Sequence, residues 1–154
     1  MSIKDKLQEL GLTLPTAALP VAAYVPAVKT GNLVFVAGQL PLVDGKIVKE
    51  GKVGKEVTPE EAKEMAQLCA LNALAAISLV ADIDQVEKIV RVGGFVNCSP
   101  GFTAISGVIN GASEFLIKVF GDVNGKHART SIGVAELPLN APVEIEIIIK
   151  LKTI

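Results

Sequence analysis

The sequence predicts an α+β domain in which two helices pack on one face of a mixed β-sheet. Alternation along residues 143–151 places apolar side chains on one face of a strand, with Glu144 and Glu146 on the other. Two other stretches, 58–81 and 105–120, repeat apolar residues at helical spacing. The predicted order is strands, helix, strand, helix and two strands, which favours an α+β fold with both helices on one side of the sheet.

A short helix is predicted at residues 2–10. Ser2 suits the N-cap position, Asp5 the third helical position, and Gly11 the end of the helix. Residues 13–20 are rich in proline, alanine and threonine and show no sustained period. They are expected to connect this helix to the sheet.

A β-hairpin is predicted next, with strands at 22–28 and 33–37 around the turn residues 29–32. Gly38 closes the second strand at a point where the missing side chain lets a ligand or a neighbouring backbone approach. Residues 46–49 are expected to form a short edge strand.

The strongest helix signal begins at Thr58. Thr58 suits the N-cap, Pro59 the first helical position, and Glu61 the third position of a capping box. An apolar stripe follows and would lie on the sheet, so the helix is expected to continue to about Ala81.

A strand is predicted at residues 86–97, and a second helix after it. Gly93 and Gly94 inside the strand indicate a bulge or a close contact between backbones. The helical stripe at 105–120 is expected to end at Gly121.

The segment 129–136 is the best candidate for a ligand-binding face. In this extended segment Arg129 shares a face with Ser131 and Gly133, and small residues beside an arginine leave room above the sheet for a ligand. On spacing alone, a single arginine on a strand is more often a solvated or ion-paired surface group.

Length and charge limit the classes of protein that the chain can belong to. With 154 residues, the chain is expected to form one domain, in which residues 1–19 are an N-terminal extension. Its 15 basic and 16 acidic residues give a formal net charge of −1, so nucleic acid is not an expected partner. No apolar run reaches the ~20 residues that span a bilayer, and no secretion signal is recognisable at the start. No membrane partner is expected, and the predicted location is cytoplasmic.

The sequence offers no motif for a metal, a nucleotide cofactor or a disulfide. With one histidine and no paired cysteine spacing, a metal site is not expected. Neither a Walker loop nor a glycine-rich dinucleotide fingerprint is present. Cys69 and Cys98 are expected to be free thiols. No cofactor is therefore predicted.

One face of the predicted sheet has no cover. Both helices lie on the other face, and Ile148 shares the uncovered face with Glu144 and Glu146. A small protein with 50% hydrophobic residues seldom leaves such a face in water. A homo-oligomer closed by symmetry is therefore expected.

Several motifs, in this order, resemble the reactive intermediate deaminase family, also called RidA or YjgF and long described as endoribonuclease L-PSP. They are Tyr24-Val25, Gly31-Asn32 leading to Val36-Ala37-Gly38-Gln39-Leu40-Pro41, Ala128-Arg129-Thr130-Ser131, Leu137-Pro138 and Val143-Glu144-Ile145-Glu146. The resemblance implies a chorismate-mutase-like fold and a homotrimer with ligand clefts between subunits. It also implies hydrolysis of enamines and imines, such as 2-aminoacrylate, to 2-keto acids and ammonia.

The resemblance also implies roles for particular residues. Arg129 matches the arginine that holds the substrate carboxylate, a task that suits a planar, permanently charged group able to donate two parallel hydrogen bonds. Glu144 matches the glutamate thought to position or activate water. The other matching positions lie at the ligand cleft: Tyr24, Gly38, Asn110 and Ser131.

The chain departs from the family pattern at three positions. Ser131 stands where many members have cysteine, Ala37 where serine is common, and His127 where proline is usual. These departures indicate a divergent branch, and they leave the preferred substrate open. Tyr24 as a core residue, Asn110 as a helix cap, and a Ser131–His127 pair remain open alternatives.

A geometric argument predicts that each cleft combines groups from two chains. If the last two strands form a simple hairpin about residues 139–140, Arg129 faces Lys150, six residues beyond Glu144. That separation is roughly 20 Å at ~3.3 Å per residue. One chain could not then place both groups at one ligand.

Two functions are therefore predicted as alternatives. The first is an enzyme, an enamine or imine deaminase that acts on a small imino acid. The second is a non-catalytic trimer that binds small carboxylates and has a regulatory or chaperone-like role. Both need Arg129, whereas only the deaminase needs the acid-base group Glu144. A ribonuclease conflicts with the neutral charge balance.

Overall fold

A computed structural model describes residues 1–20 and 22–154. Within these residues the chain forms three α-helices and seven β-strands, with short 3₁₀ turns before β5 and before β7. The helices are α1 (Ile3–Glu9), α2 (Pro59–Ile77) and α3 (Ile105–Gly125). The strands are β1 (Ala27–Thr30), β2 (Leu33–Gln39), β3 (Leu42–Val43), β4 (Lys46–Ile47), β5 (Val86–Asn97), β6 (Ala128–Val134) and β7 (Val143–Leu151).

Five of the strands form a mixed sheet in the order β1-β2-β7-β5-β6, which confirms the predicted α+β class. Only β5 and β6 are parallel, and α3 is the connection between them, as parallel neighbours require. The prediction that the last two strands could pair as a hairpin is wrong, because β5 lies between β6 and β7. The central strand is therefore β7, and β6 is an edge strand.

The core lies between the sheet and the helices α2 and α3. The sheet contributes its inward-facing side chains from β5 and β7, such as Val92 and Ile147. Opposite them lie Leu74 of α2 and Ile109 of α3, both fully buried, so the two predicted apolar stripes do face the sheet. Leu7 of α1 is also fully buried against this core, which fixes the N-terminal helix to the domain.

The predicted helix starts are confirmed by their caps. The Thr58 hydroxyl accepts a hydrogen bond from the Glu61 N–H at 3.1 Å, and the Thr58 N–H donates to the Glu61 carboxylate at 2.9 Å. Ser2 and Asp5 make the same reciprocal pair at the start of α1. Helix α2 ends at Ile77, earlier than the predicted Ala81. These caps fix where α1 and α2 begin, whereas α3 begins after Ala104 without a side-chain cap.

The first strand of the hairpin is shorter than predicted, and the short strand predicted at 46–49 is observed as β4 in a separate two-stranded sheet. Strand β1 begins at Ala27, and its turn to β2 has Gly31 at φ 58°. The segment that begins at Lys46 pairs with Leu42–Val43 in a separate hairpin, outside the main sheet. Residues 46–49 are therefore not an edge strand of the main sheet.

The two glycines of β5 make room for side chains from either face of the sheet. A Cβ on Gly93 would lie 2.8 Å from the Glu146 side chain, and one on Gly94 would lie 2.6 Å from Ile109. The register with β7 runs without interruption past both glycines, and the bulges lie earlier, between residues 86 and 91. The predicted bulge or backbone contact at this pair is therefore wrong.

Helices α2 and α3 cross closely at Gly111. A Cβ at this position would overlap the backbone carbonyl oxygen of Lys63. Helix α3 is interrupted at Gly121, which has φ 86°, so the predicted stop at this glycine corresponds to a real break. No helix in the described residues is long and apolar enough to cross a membrane.

Replacing Gly111 by alanine is expected to destabilise the protein, because the new methyl group forces the two helices apart. Overpacking of this kind lowers the free energy of unfolding by about 1–3 kcal/mol. The matched control is Gly107→Ala in the same helix, where the methyl group meets nothing within 4 Å. That change is expected to raise the free energy of unfolding by about 0.5 kcal/mol. Urea denaturation measures both, and equal effects of the two substitutions would contradict the close crossing.

Candidate functional site

Arg129 extends from β6 toward α3. In the parallel register Arg129 lies beside Val92, a buried residue of the helix-covered face. Its Nη1 atom donates to Asn110 Oδ1 at 2.8 Å and to Ser113 Oγ at 3.1 Å. Asn110 and Ser113 are three residues apart, which places both on the same side of α3. The structure therefore brings together Arg129 and Asn110, two of the predicted site residues.

The charge of Arg129 is left without an acidic partner. Its two hydrogen-bond partners are neutral, and none of the ion pairs in the described part of the chain includes it. Both Nη1 hydrogens are engaged by α3, whereas Nε and Nη2 have no acceptor among residues 1–20 and 22–154. These two nitrogens share one edge of the guanidinium, the geometry that accepts a carboxylate through two parallel hydrogen bonds.

His127 joins this cluster through Ser113, which the sequence did not single out. The His127 Nε2 atom is 2.9 Å from Ser113 Oγ, and Nδ1 is 2.7 Å from the carbonyl oxygen of Gly125. The alternative pair of His127 with Ser131 is therefore not formed. Burial lowers the pKa of His127 most; the Gly125 hydrogen bond opposes this, and the charges of Arg129 and Lys88 add to it.

Ser131 shares the Arg129 face of β6. Its hydroxyl oxygen is buried and has no hydrogen-bond partner among the described residues. The room that the sequence predicts along this face is partly filled, because a Cβ on Gly133 would lie 2.8 Å from Cys98 Sγ and 3.1 Å from Ile105. Cys98 and Ile105 therefore occupy the end of this face that contains Gly133.

Glu144 lies on the opposite, uncovered face of the sheet. Its neighbours Val143 and Ile145 are fully buried under the helices, so strand alternation directs Glu144 away from them. A Cβ on Gly38 would overlap Glu144 Oε2, and only glycine therefore leaves room for this carboxylate. Burial raises the pKa of Glu144, and the nearby charge of Glu146 raises it further.

Tyr24 is also on the uncovered face, where it is 56% exposed and is not a core residue. It borders a cavity of about 450 Å³ together with Phe35, Ile148, Arg91 and Glu146. The exposed apolar side chains of this face match the prediction that the sheet is left open on one side.

The six predicted site residues thus fall into two groups on opposite faces of one sheet. Arg129, Asn110 and Ser131 lie between β6 and α3, whereas Tyr24, Gly38 and Glu144 lie on the uncovered side. In the sheet register, Arg129 on β6 pairs with Val92 on β5, and Val92 pairs with Ile147 on β7. Ile147 is therefore two strands away from Arg129, and Glu144 lies three residues before Ile147 on the same strand. Strand spacings put the two Cα atoms about 14 Å apart.

Metal ligands are not clustered in the described residues. No group of three or more histidine, cysteine, aspartate or glutamate side chains there could hold a metal ion. Cys69 and Cys98 are free, as predicted.

The family model described as endoribonuclease L-PSP matches residues 15–151. A relative from Trypanosoma cruzi, Protein TCP17, is 41% identical over 150 residues, covering 97% of this chain and 94% of the relative. A 2-iminobutanoate/2-iminopropanoate deaminase from Dermatophagoides farinae is 32% identical over 138 residues, covering 90% of this chain and 93% of the relative.

Solved structures show the same architecture. A protein of unknown function from Agrobacterium tumefaciens superposes with a TM-score of 0.88 at 41% identity, covering 98% of this chain and 92% of the other. A protein from Shewanella oneidensis, described as a candidate endoribonuclease, superposes with a TM-score of 0.93 at 26% identity, covering 98% of this chain and 100% of the other. The fold and sequence define a small α+β protein of the endoribonuclease L-PSP type. This chain belongs to the RidA/YjgF family.

Replacing Glu144 by glutamine is expected to stabilise the protein at alkaline pH. The pKa of Glu144 is raised in the folded state. Its favourable contribution to the free energy of unfolding is therefore fully present below the unfolded pKa of about 4.3 and is lost as the pH rises through the folded pKa. Glu144→Gln should raise the melting temperature by about 1–3 °C at pH 8 and have little effect at pH 4. The matched control is Glu146→Gln, where the carboxylate is exposed and the expected change is smaller. A lower melting temperature for Glu144→Gln at pH 8 would contradict the pKa shift.

Proposed function

We propose that this chain is an imine and enamine deaminase that hydrolyses small imino acids to 2-keto acids and ammonia. The observation that supports this most is the free edge of Arg129, a charged group that neutral side chains hold in place without neutralising it. The deaminase named among the relatives supports the same reaction class. The substrates we propose are 2-aminoacrylate and 2-iminobutanoate, which need neither a metal nor a cofactor for hydrolysis.

In this proposal Arg129 binds the substrate carboxylate through Nε and Nη2. Asn110 holds the guanidinium from the other side, and the buried, unpaired hydroxyl of Ser131 lies on the same face of β6. An enamine substrate is first protonated at carbon to give the imine. Water then adds to the imine carbon, and the carbinolamine releases ammonia to leave the keto acid.

Glu144 is the proposed acid-base group. The pKa of Glu144 is raised toward neutral pH, which suits a group that takes a proton from water and returns it to the leaving nitrogen. Gly38 leaves space for this carboxylate, and Tyr24 borders the same side of the sheet. A positioned acid-base group typically accelerates a reaction by ~10²–10⁴-fold.

The proposed active form is a homotrimer with clefts between subunits. Arg129 and Glu144 lie on opposite faces of one sheet, so they can meet at one ligand only if they come from different chains. The uncovered face exposes apolar side chains that a neighbouring subunit would bury: Val28 (51% exposed), Phe35 (43%) and Ile132 (44%). We place the Arg129 group of one protomer against the Glu144 group of the next.

A second candidate is a trimer that binds small carboxylates without converting them and has a regulatory or chaperone-like role. It is favoured by the environment of the Glu144 carboxylate, whose pKa is raised by burial and by the charge of Glu146 with no hydrogen bond from the described residues to oppose them. This candidate uses Arg129 alone. Both candidates include a cytoplasmic location and no nucleic-acid partner, in keeping with the net charge of −1.

The first test is keto-acid release when a pyridoxal-phosphate serine dehydratase generates 2-aminoacrylate in situ. Arg129→Ala should lower kcat/KM by about 10²-fold, because charge-assisted hydrogen bonds to the carboxylate are lost. Glu144→Gln should lower kcat by ~10²–10⁴-fold and leave binding of 2-oxobutanoate nearly intact. The control is Glu50→Gln, at an exposed glutamate that belongs to neither group of site residues. Full activity of Glu144→Gln would exclude its catalytic role, and ligand binding without turnover by the unaltered protein would favour the binding trimer.

The second test is complementation between two inactive variants. Mixed trimers of Arg129→Ala and Glu144→Ala chains, assembled in equal amounts, contain some clefts with both groups intact. If each cleft takes one group from each of two neighbours, about one quarter of the clefts recover, and activity returns to about one quarter of the unaltered level. The control is a mixture of the separately assembled trimers. No recovery in the mixed trimers would show that both groups act from one chain.

A further inference from the structure

Arg129 is held by a chain of hydrogen bonds that passes through the only histidine of the sequence, His127. The chain runs from Arg129 Nη1 to Ser113 Oγ at 3.1 Å, from Ser113 Oγ to His127 Nε2 at 2.9 Å, and from His127 Nδ1 to the Gly125 carbonyl oxygen at 2.7 Å. We propose that Ser113 and His127 are positioning residues for Arg129, which orient its free edge toward a carboxylate. The ligand-binding consequence rests on the proposed function, whereas the hydrogen-bond chain does not.

The direction of each hydrogen bond in this chain follows from the bond between His127 Nδ1 and the Gly125 carbonyl oxygen. A carbonyl oxygen only accepts, so the proton on the His127 ring must be on Nδ1. In the neutral ring Nε2 is then an acceptor, and the Ser113 hydroxyl must donate to it. The hydroxyl hydrogen therefore points away from Arg129, and an oxygen lone pair accepts the Arg129 Nη1–H.

The local backbone supports this arrangement. Ser113 is only 9% exposed, and His127 follows the break in α3 at Gly121. A Cβ on Gly125 would lie 2.6 Å from the Ile117 Cα atom, so glycine allows the close packing of the residue whose carbonyl binds the ring. Burial lowers the pKa of His127, which keeps the ring neutral at the pH where Nε2 has to accept.

The consequence for Arg129 is a fixed guanidinium plane. Asn110 accepts one Nη1 hydrogen and Ser113 the other, so rotation about the last side-chain bonds would break both contacts. Without the His127 acceptor, the Ser113 hydroxyl hydrogen is free to turn toward the guanidinium and oppose the second contact. The edge formed by Nε and Nη2 would then lose its orientation while the charge remains.

A direct test uses ¹⁵N labelling, because the chain has one histidine and the ring nitrogens of the full-length protein give one set of signals. At pH 7.5 the expected species is the neutral ring protonated at Nδ1. Ser113→Ala should shift the Nε2 resonance, whereas Ser78→Ala, which removes a part-buried hydroxyl that donates to the Leu74 carbonyl, should not. A ring protonated at Nε2, or no shift in Ser113→Ala, would overturn the proposal.

The functional test measures the dissociation constant of 2-oxobutanoate and the division of effects between KM and kcat. Ser113→Ala and His127→Leu should each weaken binding about tenfold, raise KM to match and change kcat by less than about threefold. Ser113→Thr retains the hydroxyl and His127→Gln retains an acceptor near Nε2, so both should recover most of the affinity. The double variant Ser113→Ala/His127→Leu should bind 2-oxobutanoate no more weakly than Ser113→Ala alone.

The outcomes separate this inference from the proposed function. Additive effects in the double variant, or unchanged binding in both single variants, would overturn the positioning role even if the protein is an active deaminase. Failure to release a keto acid would overturn the deaminase. The ring tautomer, the resonance shift and the non-additive loss of 2-oxobutanoate binding would still decide the positioning role in that case.

Discussion

The parallel pairing of β5 with β6 determines where the candidate site residues of this molecule lie. Parallel neighbours need a long connection, and α3 provides it, so the helix that leaves β5 returns beside β6. That return brings Asn110 and Ser113 within hydrogen-bond distance of Arg129. The same pairing inserts β5 between β6 and β7, which separates Arg129 from Glu144 within one chain.

The two charged groups occupy opposite electrostatic environments. Arg129 is half-buried among neutral acceptors, which hold the guanidinium but leave its charge available to an anion. Burial and the charge of Glu146 make ionisation of Glu144 less favourable, so its pKa rises. In the proposed reaction, the unneutralised cation would bind the substrate carboxylate, and the carboxyl that resists ionisation would exchange protons during hydrolysis.

Much of the fold could be predicted from local sequence, because caps and periodicity are local. Thr58 with Glu61, the alternation of β7 and the limits of β5 all follow from side-chain chemistry within a few residues. The strand order could not be predicted, since pairing of β5 with both β6 and β7 depends on long-range packing. Ser113 was missed for a related reason, although its spacing of three from Asn110 and the single nearby histidine were available signals.

The opposite-face arrangement has a consequence for inheritance. In the proposed trimer each chain lends Arg129 to one cleft and Glu144 to another, so a single chain lacking both groups disables two of the three clefts. Cells that express a damaged and an intact allele would lose activity out of proportion to the fraction of damaged chains. Such dominant interference does not arise in an enzyme whose active site is complete within each polypeptide.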